Sequence, residues 1–350
     1  MLLKRSITII ALLMTVIWFS MLHGCSAPVK SFSPAYATAG KIWPSSPEKP
    51  RIAYGGSFST PEQLGIEKSF FSKVVEFFSG KENITLIQPM AVTVDRNNVI
   101  YVADPGAGGV HRFDVVNNDY KLINKVGDTY LKTPVAFTQG FKGEIYFSDS
   151  SLAKVFVIHK GDDAATEIDF GFKFKQPTGI SFDPNTGWLY VVDTAKHLVT
   201  VFDKQYEFIR TFGQRGKKDG EFNFPTMIWV NDKKQVLVSD SLNFRVQIFK
   251  QSGKFVSKFG ERGEGTGRHS RPKGISEDRY GHVYVVDALF HTVQMFDHEG
   301  NFLLNFGKQG QQDGKFWLPS GIFVQNNDAI FVADTHNHRI QVFYYIGERT

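Results

Sequence analysis

Leu318-Pro319-Ser320-Gly321-Ile322-Phe323-Val324-Gln325, then Ala329-Ile330-Phe331-Val332-Ala333, then Arg339-Ile340-Gln341-Val342-Phe343-Tyr344 are three β-rich runs separated by short polar gaps. Pro319 opens the first run and Asp334 closes the second. Outward from this stretch the same order returns five times toward the N-terminus. The Pro recurs at Pro89, Pro134, Pro177, Pro225 and Pro272, and the Asp at Asp104, Asp149, Asp193, Asp240 and Asp287. Successive Asp residues lie 45, 44, 47, 47 and 47 positions apart. A period near 45 residues with about four short strands per unit is the signature of propeller blades. The expected fold is all-β, a six-bladed β-propeller of four-stranded antiparallel blades.

The fourth unit shows all four strands: Thr226 to Val230, Gln235 to Ser239, Arg245 to Phe249 and Lys254 to Phe259. Turns such as Gln251-Ser252-Gly253 and His298-Glu299-Gly300 suit the hairpin between third and fourth strands. The last unit is one strand short. Arg51-Ile52-Ala53-Tyr54-Gly55 resembles the outer strands Leu303 to Gly307 and Val256 to Gly260, yet precedes the first unit. It is expected to pair with Arg339 to Tyr344, closing the ring and removing an open sheet edge.

Ahead of this array stands a leader. Lys4 and Arg5 precede an apolar stretch, Ile7 to Phe19, broken only by Thr8 and Thr15. The stretch is shorter than the roughly 20 residues of a spanning helix and reads as a secretory signal, residues 1–24. Leu22-His23-Gly24-Cys25 resembles the lipobox of bacterial lipoproteins, with His23 in a place usually held by a small residue. The resemblance implies acylation of Cys25 and a lipid-anchored, exported protein, on the outer-membrane or periplasmic side of the envelope. Cys25 is the chain's single cysteine, which excludes an intramolecular disulfide and a thiolate metal cluster. Residues 25–48, rich in Ser, Ala and Pro, read as a flexible tether, and 49–350 as the propeller. Of 40 Lys and Arg residues, loss of Lys4 and Arg5 leaves 38 against 35 acids, too balanced for a dedicated nucleic-acid binder.

Within the propeller, residues 61–80 break the period. Thr60-Pro61-Glu62 is a helix-start signal, and Ile66, Phe70, Phe71, Val74, Val75, Phe77 and Phe78 follow at helical spacing. A short inserted helix is expected there, packed on the rim or over the central opening.

The blocks Val332 to Phe343, Phe212 to Pro225 and Ser239 to Phe249 resemble NHL repeats. The resemblance spans roughly residues 88–344 and is strongest in blades four to six. Asp104-Pro105-Gly106 and Asp149-Ser150-Ser151 keep the Asp but lose most of the Asn and Arg pattern. It implies a six-bladed propeller, in agreement with the count of Asp positions. The family includes binding platforms for proteins or RNA, sensor domains and metal-dependent amidating lyases; lactonases use related propellers. Fold alone does not choose among these.

Recurrence itself argues that the six Asp residues are structural, each accepting backbone N–H bonds at the turn after the second strand. His197, His291 and His338 each stand four residues after an Asp, on separate blades, and need not converge on a metal. The starts of the inner strands carry Met90, Val135, Thr178, Thr226, Lys273 and Ser320, with no His or carboxylate. No catalytic residue, metal or cofactor is assigned, since an amidating-lyase-like or lactonase-like metal site would need such ligands in the channel.

Departures from the repeat point to a binding face instead. Asp219-Gly220-Glu221-Phe222 and Asp313-Gly314-Lys315-Phe316 are replaced before the fifth blade by Thr266-Gly267-Arg268-His269. The long connections gather Arg215, Lys217, Lys218, Arg268, His269, Arg271 and Lys273, with Lys308 and Lys315 nearby and Trp317, Phe222 and Phe224 among them. Such a face suits an envelope protein or an anionic polymer. The expected function is a non-catalytic scaffold of the cell envelope. The alternatives are a propeller enzyme with a channel metal, and a sugar or peptide receptor.

Overall fold

The computed structural model describes residues 41–67 and 84–347. Its strands fall into six antiparallel sheets around a central opening, beside a separate two-stranded hairpin of Lys125–Val126 and Thr129–Tyr130. Five of the six run outward in chain order, and the sixth takes its outer strands from the N-terminal side. Blade four is typical: Pro225–Val230 is innermost, followed by Gln235–Asp240, Arg245–Lys250 and Phe255–Phe259. The second strands are apolar without alternation, as in Tyr190-Val191-Val192, because each blade is covered on both faces by its neighbours. Six buried clusters result, one at each blade junction. Large side chains such as Phe113, Phe202, Tyr284 and Phe343 are wholly enclosed in them.

Ring closure is made by Ile52–Phe58, which pairs antiparallel with Arg339–Tyr345 from Ile52 opposite Tyr345 to Phe58 opposite Ile340. A bulge at Gly55 and Gly56 absorbs one extra residue, and a Cβ on Gly55 would lie 2.4 Å from the Tyr344 ring. The sheet then continues one strand further than the sequence indicates. Ile42–Trp43, placed by composition at the end of the tether, pairs with Ala53 and Ile52 and makes blade six five-stranded. Trp43 anchors it, its ring 6.1 Å from Phe306 and 5.7 Å from Phe343.

The expected helix over 61–80 is corrected at its start. Pro61–Leu64 is a single 3₁₀ turn, ended by Gly65 in the left-handed region at φ 81°. Leu64 and Ile66 are buried in the cluster between blades six and one, so the chain turns inward here instead of propagating a helix. The rest of that call, from Lys68 on, lies outside the described residues, as do the leader, Cys25 and the first part of the tether.

Hydrogen bonds join the blades at both mouths of the opening. At the long-connection end, the hydroxyl following the repeat Asp donates to the carbonyl of the next blade's Pro: Thr194 to Pro225, Ser241 to Pro272, and Thr335 to Pro89. At the short-turn end, hydroxyls of Thr138, Ser181 and Ser276 accept the N–H of Phe182, Val230 and Val324 on the next inner strand. The hub is thereby a stiff ring that presents fixed residues at each end.

Candidate functional site

The six repeat aspartates are fully buried at the bottom of the long-connection face. Their carboxylates reach further than the turn: they also fix the incoming connection. Asp104 accepts the N–H of Ile87 and Gln88 at 2.7 and 2.8 Å, and Asp149 those of Lys132 and Thr133 at 2.7 and 3.0 Å. Asp193 does the same for Lys175 and Gln176. Blades four and six use side chains in place of one such bond. Asp240 takes the Asn223 N–H, Asn243 Nδ2, Arg245 Nε and Gln247 Nε2, and Asp334 takes the matching set from Trp317, Asn337, Arg339 and Gln341. These carboxylates are committed to the backbone and to buried donors, which leaves them no role as an acidic ring.

Blade five has neither Asn nor Arg in its turn, and Asp287 is served by the N–H of Ser270, Arg271 and Phe290. His269 completes the set, its Nδ1 lying 3.5 Å from Asp287 Oδ2 and 3.2 Å from Gln294 Nε2. Burial alone would raise the Asp287 carboxyl. The His269 hydrogen bond and the Ser270 N–H outweigh it and hold Asp287 below the ordinary aspartate range. His269 thus corrects the sequence reading. It is 0% exposed and packs against Gly260 as Phe222 packs against Gly213 and Phe316 against Gly307, so it belongs to the core. Phe222 is equally buried, whereas Phe224 and Trp317 remain exposed at 40% and 39%.

Lys273 is displaced from the face as well. It lies in the narrow mouth of the bore with Met90, Val135, Thr178, Met227 and Ser320 around a cavity of about 100 Å³. Burial in these apolar walls, with help from the Arg271 charge, pulls its ammonium down to about 8.

The remaining predicted cations stay on the loop surface. Arg268 is paired with Glu261 at 2.9 Å. Among the described residues Arg215, Lys217, Lys218 and Arg271 form no ion pair. The Glu221 carboxylate beside them is instead held by the N–H groups of Lys217 and Lys218 at 3.1 and 3.0 Å. Asp219 is engaged with Lys258 and Arg245. The three histidines lie apart and tie neighbouring blades: His197 Nδ1 accepts the Phe224 N–H, His291 Nδ1 accepts the Leu318 N–H, and His338 Nδ1 contacts the Ile87 carbonyl. Among the described residues no three His, Cys, Asp or Glu side chains converge as a metal site.

A larger cavity, of about 650 Å³, lies at the opposite end, where the inner strands finish. Phe137, Phe182, Trp229 and Phe323 supply aromatic walls, and Asp95, Asp232 and Glu277 supply carboxylates against a single guanidinium, Arg96. Burial raises the Glu277 carboxyl above its ordinary value, although Asn231 Nδ2 donates to Oε2 at 3.0 Å and opposes the shift. The sequence reading missed this site because it inspected the strand starts. The signal was present four and five residues after each Pro. Thr93, Thr138, Ser181 and Ser276 share the first position, but Trp229 and Phe323 interrupt it. Val94, Val230 and Val324 share the second, but Gln139, Phe182 and Glu277 interrupt it.

Residues 316–343 match the NHL repeat model, the last of the six units. The chain folds as a six-bladed β-propeller, and its last unit carries the NHL repeat match. Solved propellers match over most of their length at low identity. Virginiamycin B lyase from Staphylococcus aureus is 14% identical, with 74% of this chain and 95% of that one covered at a TM-score of 0.55. An auxiliary nutrient binding protein from Bacteroides thetaiotaomicron VPI-5482 is 14% identical, covering 76% and 71% at 0.59. A chain of the Nidogen/Laminin complex is 15% identical, covering 72% and 87% at 0.53. At such identities the likeness is one of fold, shared by an enzyme and by binding proteins alike. No curated protein matches the chain by sequence. No helix among the described residues is long and apolar enough to cross a membrane.

Proposed function

We propose that this propeller is an exported, lipid-anchored, non-catalytic scaffold of the bacterial cell envelope. Its long-connection face receives an acidic partner, either an envelope protein or an anionic polymer. Membrane attachment runs through acylated Cys25, and the tether residues that precede Ile42–Trp43 supply the reach between lipid and disc. The observation that carries the reading is the state of the charges on that face. Arg215, Lys217, Lys218 and Arg271 form no ion pair among the described residues, while the neighbouring acids Glu221 and Asp219 are already engaged. Guanidinium and ammonium groups without an ion pair, on the same set of long connections as exposed Trp317 and Phe224, favour multipoint contact with an anionic surface. A fixed ring of blades holds these loops, so recognition carries little ordering cost.

Binding of polyglutamate and of a sulfated glycan to the purified chain, measured against ionic strength, tests the reading. Charge reversal at Arg215, Lys217, Lys218 and Arg271 is expected to abolish binding and its salt dependence. Equal binding by the reversed variant removes this face from consideration.

A further inference from the structure

We infer that the 650 Å³ cavity at the short-turn end is a second binding site, for the end of a neutral or amine-bearing sugar, separate from the basic face. Its volume falls in the range of sites for small organic ligands. Its lining is also a place where the six blades differ. The hydroxyl that joins neighbouring inner strands is replaced by Trp229 and Phe323, and the apolar residue after it by Gln139, Phe182 and Glu277. A purely structural hub would keep the joining residue in every blade; these replacements turn its inward edge into a mixed aromatic and polar wall.

The chemistry selects the ligand class. Half-buried aromatic faces take the C–H surface of a sugar ring. Between them stand planar carboxylate and amide groups, each with two hydrogen-bonding atoms that match adjacent hydroxyls. Gln139 is positioned by its own bonds, Nε2 donating to Thr93 Oγ1 at 2.9 Å and to the Val94 carbonyl at 2.6 Å. Its carbonyl oxygen is left to accept. Glu277 is fixed through Oε2 by Asn231 Nδ2 at 3.0 Å, which leaves Oε1 as its second acceptor. Asp95 accepts the N–H groups of Asn97 and Val99 through Oδ1, both at 2.8 Å. The Asp95, Asp232 and Glu277 carboxylates together set the charge of the cavity, with Arg96 as the cation of its lining and Lys233 acting on Glu277 from nearby. Acceptors of this kind favour hydroxyl and ammonium donors and repel carboxylated sugars.

The test uses three disaccharides on the full chain, by saturation-transfer NMR and calorimetry: N-acetylated chitobiose, its free-amine form, and a hyaluronan disaccharide. The two chitobiose forms are expected to bind, the amine form more tightly, and the uronate is not. Trp229→Ala should weaken both by about tenfold or more, a loss of roughly 1.4 kcal/mol. Trp229→Phe, which keeps a ring, should retain most of the binding and certifies the fold. Glu277→Gln should remove the preference for the amine. Charge reversal on the opposite face should leave all three results unchanged, which separates this site from the scaffold reading. Absence of transfer from every sugar at millimolar concentration overturns the inference. So does uronate binding equal to the others, or affinities indifferent to Trp229 and Glu277.

Discussion

The backbone N–H of Phe224 is donated to Nδ1 of His197 over 3.1 Å, so the turn of blade three holds the entry to blade four. His291 repeats the bond to Leu318 at 2.9 Å. An imidazole nitrogen that accepts an N–H must be unprotonated, and both rings are held below 6.5 accordingly. For His197 burial is the main cause, followed by the Arg215 charge. For His291 burial prevails over the pull of Asp287 and Asp334. A folded value below the unfolded one means stability that is complete above about pH 6.5 and is lost as the pH falls through the folded value. The melting temperature should decline over that interval. Replacing both histidines by Asn, whose side-chain oxygen accepts the same bond without titrating and whose backbone tolerates the φ of 58° and 54° found here, should flatten the decline. Identical pH profiles for the double variant and the parent would show that these bonds carry no titratable stability.

Close approach of blades at the hub gives a second expectation. A Cβ on Gly274 would lie 2.5 Å from the Ser320 carbonyl oxygen, and one on Gly321 2.5 Å from that of Met90. Both obstacles are backbone, which cannot rotate aside. Gly321→Ala should therefore cost about 1–3 kcal/mol through forced separation of blades six and one. Chemical denaturation measures it, and an unchanged midpoint would mean that the hub yields more easily than its hydrogen bonds suggest.

Buried and exposed ion pairs should separate by size of effect. Asp334 is 0% exposed and binds Arg339 Nε at 2.8 Å, together with three further donors. Asp334→Asn removes the charge and leaves Arg339 partly uncompensated in a buried setting, a loss of about 3–5 kcal/mol. Glu261→Gln breaks an exposed pair with Arg268 and should cost no more than about 1 kcal/mol. Comparable effects from the two substitutions, in the same unfolding assay, would contradict the structural assignment of the repeat Asp.

Repetition made the frame legible and hid the sites. Six Pro and six Asp positions were enough to place the blades, and the unpaired third strand Arg339 to Tyr344 pointed to its partner around Ile52. Ile42–Trp43 escaped notice because a two-residue strand has no periodicity; what holds it is the contact of Trp43 with Phe306 and Phe343. His269 was counted with the surface cations from residue type, and Lys273 was counted with them although it also opens an inner strand. Alignment to Phe222 shows one to be a core position, and the inner strand places the other in the bore. The aromatic and carboxylate lining around Trp229 and Glu277 comes from four strands far apart in sequence, and only blade-by-blade phasing collects it.

Lipid attachment at Cys25 is expected from the leader alone and is open to direct assay. In a bacterial host, radiolabelled palmitate should enter the wild-type chain and be absent from Cys25→Ser. The substituted chain should leave the membrane fraction while keeping its thermal melt. Labelling that survives the substitution, or a membrane fraction indifferent to it, would place the anchor elsewhere.

Closure of the ring should be the feature on which the whole cooperative unit depends. Ile52–Phe58 is the only strand of the first sixty residues that carries a full register with the C-terminal blade among the described residues, and Ile52, Ala53 and Phe58 are each 1% exposed or less. Its loss would open the edge of Arg339–Tyr345 and uncover the clusters between blades five and six and between six and one. Arg51 adds a bond to the Leu303 carbonyl at 2.9 Å, which joins the closing strand to the neighbouring blade. Deletion of residues 49–56 should therefore lower the melting temperature of the entire propeller and broaden its transition, with dimers or larger species formed through the open edge. Scanning calorimetry with size-exclusion chromatography reads both effects. A sharp, undisplaced transition in the deleted chain would show that five complete blades and a three-stranded sixth are self-sufficient, and that the N-terminal strand is an ornament of the edge instead of its closure.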